Sequence, residues 1–255
     1  EVLYRVTKAR KGNAEGRVLE TLAPGACERR ESLCPAVGVC GGCLYQTLPY
    51  AEELKLKEQL LQRLLGEAIG EDFLWEGLTA SPRENAYRMK MEYSFGDAYR
   101  DGPLTLGMHK RGSHYDIVET DRCELVHEDL NLALRETLRF FRERKVPFYH
   151  KLRHEGYLRF LLARRGTHRK ELLLDLVTSS QLPREEEREL LRAWRELMCS
   201  LPFEASLKGL LHTVTDSVAD AVKNERTEVL FGEAQFEEEL SGLRFAITPF
   251  SFFQN

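Results

Sequence analysis

Three cysteines fall within ten residues, Cys34-Pro-Ala-Val-Gly-Val-Cys40-Gly-Gly-Cys43, and this stretch constrains the chain more than any other. Thiolates crowded so tightly suit a soft metal ion or an iron–sulfur cluster. Gly41 and Gly42 permit a sharp turn and let backbone N–H groups approach the sulfurs. Three thiolates leave a four-ligand centre one short, so a distant fourth cysteine is required. A loop of reduced structural cysteines is the plainer reading, but buried cysteines rarely come as a Gly-Gly-spaced triplet. Zinc is the closer rival. Zinc sites usually carry two paired C-x2-C half-sites, whereas here one C-x2-C is joined to a C-x5-C and neither Cys123 nor Cys199 has a cysteine neighbour. That asymmetry favours iron–sulfur.

The remaining composition narrows the setting. Six cysteines in 255 residues do not make a secreted disulfide framework, so a reducing, cytoplasmic compartment is expected. Hydrophobic residues are 42% and charged residues 31%, which fits a globular chain and is too apolar for a disordered one. No run approaches the roughly 18 apolar residues of a membrane span. Glu1–Arg10 alternate charged and apolar types, unlike a secretory leader, and the absence of an initial Met suggests that a piece precedes them. A net charge of −4 excludes a globally basic nucleic-acid binder but leaves local basic patches open.

Period and punctuation give an α+β order. Residues 1–22 read as β, with a turn signal at Gly16, and look like the remnant of a small OB-like barrel because two strands alone are not stable. Residues 50–69 form a helix with Leu54, Leu61, Leu64, Leu65 and Ala68 on one face, stopped by Gly70. Residues 87–95 and 103–109 make a hairpin through Asp101-Gly102, and 115–119 adds a short strand. A helix over 128–144 presents Leu130, Ala133, Leu134, Leu138 and Phe141. A second hairpin, 157–164 with 171–178, leads to a helix over 184–198, a strand over 205–214 and a last strand over 243–248. The whole is expected to be a central antiparallel-sheet domain with helices and a cysteine metal-cluster loop.

Four motifs, in order along the chain, resemble the 23S rRNA (uracil-5-)-methyltransferases of the RumA type. They are Cys34 with Cys40-Gly41-Gly42-Cys43 and Gln46 before a long helix; Asn85-Ala86-Tyr87-Arg88-Met89-Lys90; Lys110-Arg111-Gly112-Ser113 with Asp116-Ile117-Val118 and Cys123; and Phe252-Phe253-Gln254. The resemblance implies a TRAM domain ending near residue 28, a central iron–sulfur and RNA-binding domain over 29–248, and the start of a methyltransferase domain at 249–255. It implies a 4Fe–4S cluster on Cys34, Cys40, Cys43 and Cys123, RNA contacts at Arg88, Lys90, Lys110 and Arg111, and a contact of Gln254 with S-adenosylmethionine. The family's glycine-rich cofactor loop, its cysteine nucleophile and its late glutamate base find no counterpart, so no catalytic residue is assigned and the chain is expected to stop before the S-adenosylmethionine-binding domain. Cys27 is read as a loop thiol and Cys199 as a packing cysteine.

C5 of uracil is a weak nucleophile, and the family meets this with covalent addition of a thiolate to C6. What this chain is expected to supply is RNA placement, since the target base must leave its stack. Residues 151–170 hold seven basic residues against Glu155 alone, interleaved with Tyr157 and Phe160. Arg159 and Arg164 are taken from this window as RNA contacts; the other reading is a solvated hairpin edge. Charge reversal at Arg88 and Lys110 is expected to weaken RNA binding more than reversal at Arg184 and Arg188. The expected function is therefore part of an enzyme that methylates C5 of a uridine in 23S rRNA, with this chain supplying cluster and recognition. The alternatives are a tRNA (uracil-5-)-methyltransferase and a non-catalytic metal-binding RNA adaptor; an iron–sulfur electron carrier is a weaker rival. By resemblance the 50–69 helix packs on the methyltransferase domain, and without that partner its leucine face is expected to drive self-association. No membrane partner is expected.

Overall fold

A computed structural model describes residues 1–70, 72–218 and 225–253. They divide into two compact units, one built from Glu1–Ser32 with Leu44–Pro82, the other from Leu33–Cys43 with the chain from Arg83 onward. The cysteine loop falls with the sheet, and the 50–69 helix with the N-terminal strands.

In the first unit β1 (Val2–Arg10) and β2 (Asn13–Thr21) pair antiparallel. The reversal lies at Lys11-Gly12, both at positive φ (49° and 81°), the backbone that a two-residue hairpin turn demands. Gly16, expected at the turn, instead sits inside β2. A Cβ there would come within 2.7 Å of the Tyr4 ring, so glycine serves close approach rather than chain reversal. Every residue of both strands is exposed, and among the described residues no closed barrel surrounds them. Helix α1 spans Tyr50–Ile69 as expected; Glu52 and Glu53 favour its first turn and Gly70 (φ 82°) ends it. No α1 residue is buried. The segment after it runs back along the helix, with Trp75 Nε1 donating to Glu58 and the Ser81 amide donating to the Tyr50 hydroxyl oxygen.

The second unit is a seven-stranded sheet in the order β5-β4-β3-β6-β7-β8-β9. The strands are β3 (Lys90–Asp97), β4 (Leu104–His109), β5 (Ile117–Glu119), β6 (Leu158–Arg165), β7 (Glu171–Thr178), β8 (Ser206–Val214) and β9 (Arg226–Gly232). The expected all-antiparallel sheet is corrected to a mixed one: β7 and β8 run parallel. Parallel neighbours need a crossover connection, and α3 (Arg184–Ser200) supplies it. Helix α2 (Glu128–Glu143) lies on the same face as α3, and all five residues of its expected apolar stripe are at most 1% exposed. Tyr93, Leu106, Leu161, Leu174, Trp194 and Leu210 complete this core, with Trp194 Nε1 donating to Thr137 Oγ1 at 3.1 Å. On the opposite face Leu173 and Leu211 pack with Phe236 and Ile247 of the hairpin β10 (Phe236–Leu240) and β11 (Leu243–Ile247). Phe160, Leu162 and Val177 on that face receive Phe250. Among the described residues no helix is long and apolar enough to cross a membrane.

Candidate metal centre

The second unit brings the cysteine loop and Cys123 together. Ala36, 4% exposed, anchors the loop, and the Cys40 amide donates to its carbonyl at 2.8 Å. Cys40 then forms a β-bridge with Lys110, flanked by Gly41 N–H to His109 O (2.9 Å) and Arg111 N–H to Val39 O (2.8 Å). A Cβ on Gly41 would meet that histidine carbonyl at 3.2 Å, so glycine is favoured here by close backbone approach. Arg111 Nη2 donates to Cys43 O at 2.6 Å and so ties the far end of the loop. Cys123 is held by Asn131 of α2, whose side chain accepts from its amide and donates to its carbonyl, each at 3.2 Å. Arg88 lies alongside, its amide donating to Leu125 O and its backbone bridging Val126.

The thiols sit in one another's field. Burial pushes the Cys43 thiol up to about 11, and the neighbouring Cys123, Cys40 and Cys34 add to the rise while the Arg88 charge opposes it. Cys34 and Cys123 are raised too, by burial first; a backbone N–H at Ala36 partly offsets this for Cys34, and those at Leu125 and Val126 for Cys123. The Gly42 amide points at Cys40 Sγ at 3.4 Å. Backbone donors aimed at sulfur are the outer-shell feature that tunes thiolate-held clusters. Cys34, Cys43 and Cys123, all raised in this way, resist ionising together, and a bound cationic centre would reverse that balance. Among the described residues, however, no three His, Cys, Asp or Glu donors are grouped closely enough to hold a metal ion as they stand. Cys27 and Cys199 are exposed, which corrects the reading of Cys199 as a packing residue: it ends the outer side of α3.

The expected RNA contacts divide. Arg88, Lys110 and Arg111 are exposed around the cysteine loop. Lys110 lies 3.7 Å from Asp116, and the half-buried Lys90 pairs with Glu92 at 2.5 Å. Arg159 and Arg164 are corrected: they are 5% and 2% exposed. Strand β6 is central and every one of its residues is buried, so both its faces are covered and its arginines are satisfied internally. Arg159 donates to Thr215 O at 2.8 Å and lies over the Tyr149 ring. Arg164 donates to the carbonyls of Pro249 (2.9 Å), Ser251 and Phe253 (3.3 Å), clamping the stretch before Gln254. Tyr157 and Phe160, expected as stacking surfaces, are buried as well. Gln254 lies outside the described residues. Asn131 escaped sequence reading because nothing in its spacing distinguishes it from any polar residue in the first turn of a helix.

No family model matches the chain. It is 44% identical over 253 residues to an uncharacterized RNA methyltransferase of Caldanaerobacter subterraneus subsp. tengcongensis, covering 99% of this chain and 55% of that protein. It is 40% identical over 256 residues to an uncharacterized RNA methyltransferase of Clostridium acetobutylicum, covering 100% of this chain and 54% of that one. The chain thus spans about half the length of the curated relatives it matches. Its fold is similar to that of the Pyrococcus abyssi tRNA (uracil-54, C5)-methyltransferase solved with S-adenosyl-L-homocysteine, with a TM-score of 0.67, 22% identity, and coverage of 98% of this chain and 52% of that one.

Proposed function

We propose that this chain is the cluster-bearing, RNA-placing part of an S-adenosylmethionine-dependent RNA (uracil-5-)-methyltransferase that acts on 23S rRNA. What supports the reading is that the cysteine loop is bridged and hydrogen-bonded to the β4–β5 turn, with Cys34, Cys40 and Cys123 all near enough to Cys43 to raise its thiol. In this reading the four cysteines would hold a 4Fe–4S cluster, which would tie the loop to the β5–α2 connection at Cys123. Arg88, Lys90, Lys110 and Arg111 surround that tie and contact RNA. Residues 1–28 belong to a TRAM-like barrel, 29–248 to the central domain and 249–255 to the threshold of the cofactor domain, where Gln254 faces S-adenosylmethionine. Names of relatives as RNA methyltransferases support an RNA substrate. A tRNA substrate is the second reading, favoured by the structural likeness to a tRNA uracil methyltransferase.

Anaerobically purified protein is expected to be brown and to carry about four irons with matching sulfide per chain. Cys123→Ser should lose them and Cys199→Ser should keep them. Colourless wild-type protein with one zinc would replace the cluster but keep the ligands; iron retained in full by Cys123→Ser would remove the site. Binding of unmodified 23S rRNA segments against tRNA transcripts separates the two substrates.

A further inference from the structure

A second positively charged surface lies on the opposite edge of the sheet from β5. Arg184, Arg188, Arg192 and Arg195 of α3, with Arg226 of β9, line a groove of about 420 Å³ between helix and strand. Three of the helix arginines recur every four residues, which stacks them along one face at about 6 Å per step. Some surface arginines of this unit are ion-paired, as Arg135 is with Glu128, Arg142 with Glu119 and Arg169 with Glu237. Among the described residues, none of the five groove arginines is ion-paired, although α3 also carries Glu185, Glu186, Glu187, Glu189 and Glu196.

The groove's own carboxylates, Glu187 and Glu228, have partners on its inner wall. Glu187 Oε1 accepts from the Tyr157 hydroxyl at 3.2 Å and lies 3.8 Å from His212 Nε2. Glu228 lies 3.3 Å from His212 Nδ1. Glu187 and Glu228 line the groove too, so five guanidinium groups outnumber two carboxylates over a floor of Leu191 and Leu230. Such a concentration of one charge repels itself unless an anion neutralises it, and planar guanidinium groups are the side chains best matched to phosphate oxygens.

From this geometry we infer that the α3–β9 groove binds the sugar–phosphate backbone of the RNA, at a site separate from the cysteine loop. The inference rests on the proposed RNA-methyltransferase reading and adds a second contact to it. A regular row of arginines fits a regularly repeating anion better than an acidic peptide, whose side chains would find only two leucines to pack on. It also gives Arg184 and Arg188, expected to matter less than Arg88 and Lys110, a direct part in holding RNA.

The test is salt-dependent binding of a fluorescent, unmodified uridine-containing RNA hairpin to the whole chain. Arg188 and Arg192 are exposed, so R188Q/R192Q should fold with an unchanged melting temperature, which is checked first. The double variant is expected to bind at least about tenfold more weakly at low salt, and its log K against log salt slope should shrink by about 1.4, two single-strand phosphate contacts. A matched double variant at the surface, R100Q/R139Q, should leave both unchanged. If wild type binds RNA and R188Q/R192Q binds it with the same slope, the groove is overturned and the methyltransferase reading stands. If wild type binds no RNA, both fall. Displacement of the RNA by polyglutamate at equal charge concentration would overturn the RNA assignment in favour of an acidic protein partner.

Discussion

Helices α1 and α2 make an instructive pair. Both carry leucines at helical spacing, and both start with acidic residues in the first turn. Yet α2 buries nine of its residues against the sheet, and α1 buries none. Leu56, Leu60, Leu61, Leu64 and Ile69 of α1 are each at least 40% exposed. Periodicity therefore reports that a helix has an apolar stripe, not that the stripe has a partner. In α2 the partner is the sheet; in α1 the stripe is an uncovered surface.

The strongest way to break the comparison is to truncate equivalent leucines. Leu134 is fully buried in α2, so Leu134→Ala should cost about 2–5 kcal/mol in urea unfolding. Leu61→Ala in α1 should cost less than about 0.5 kcal/mol. Equal losses would mean that the α1 stripe is covered in solution.

A second contrast is electrostatic and confined to the sheet. Asp175, on β7, is 1% exposed, accepts from Thr213 Oγ1 at 2.9 Å, and is pushed up to about 7 by burial. The sign follows from which state binds the proton. Between the ordinary carboxylate range and pH 7 the folded state keeps Asp175 protonated while the unfolded state has released the proton. Stability from this group is full at low pH and falls as pH rises through that window, by up to a few kcal/mol. Asp175→Asn should flatten the curve and gain stability at pH 8 relative to pH 5. A pH profile identical to wild type would show that Asp175 is ionised in the fold.

The smallest stability effect, and the sharpest test of the uncovered stripe, is self-association. Light scattering on the chain is expected to show dimers, since pairing two α1 stripes buries them symmetrically. Leu61→Glu with Leu65→Glu should return monomers and change unfolding by less than about 0.5 kcal/mol. A wild-type monomer would remove the dimer.

Much of the sheet unit was legible because its signals are local. Asp101-Gly102 does turn the β3–β4 hairpin, with Asp101 at φ 58°, and 171–178 is a strand at those limits. The stripe of α2 named its buried residues. What stayed hidden depended on distant neighbours. Nothing in Arg159 or Arg164 announces that β6 will be central, so a basic window looked like surface. β9 and β10 were missed because few of their residues are apolar: three glutamates fill the middle of β10, and one of them, Glu238, is buried. The cysteine triplet marked its own chemistry, but the hold of Asn131 on Cys123 and the row of arginines facing β9 appear only once the helices are docked.

The parallel pairing of β7 with β8 also sets an order in time. β3–β4 and β6–β7 are joined by short turns and close cheaply, because little chain has to be ordered between their ends. β8 reaches β7 only after the chain has run through all of α3 and reversed direction, so its contacts are late ones in any route to this fold. The arginine groove, formed between α3 and β9, cannot exist before that step, whereas the β4–β5 turn that carries Lys110 and Arg111 needs only local closure. During synthesis the two basic surfaces would therefore mature at different moments, with the β4–β5 turn first.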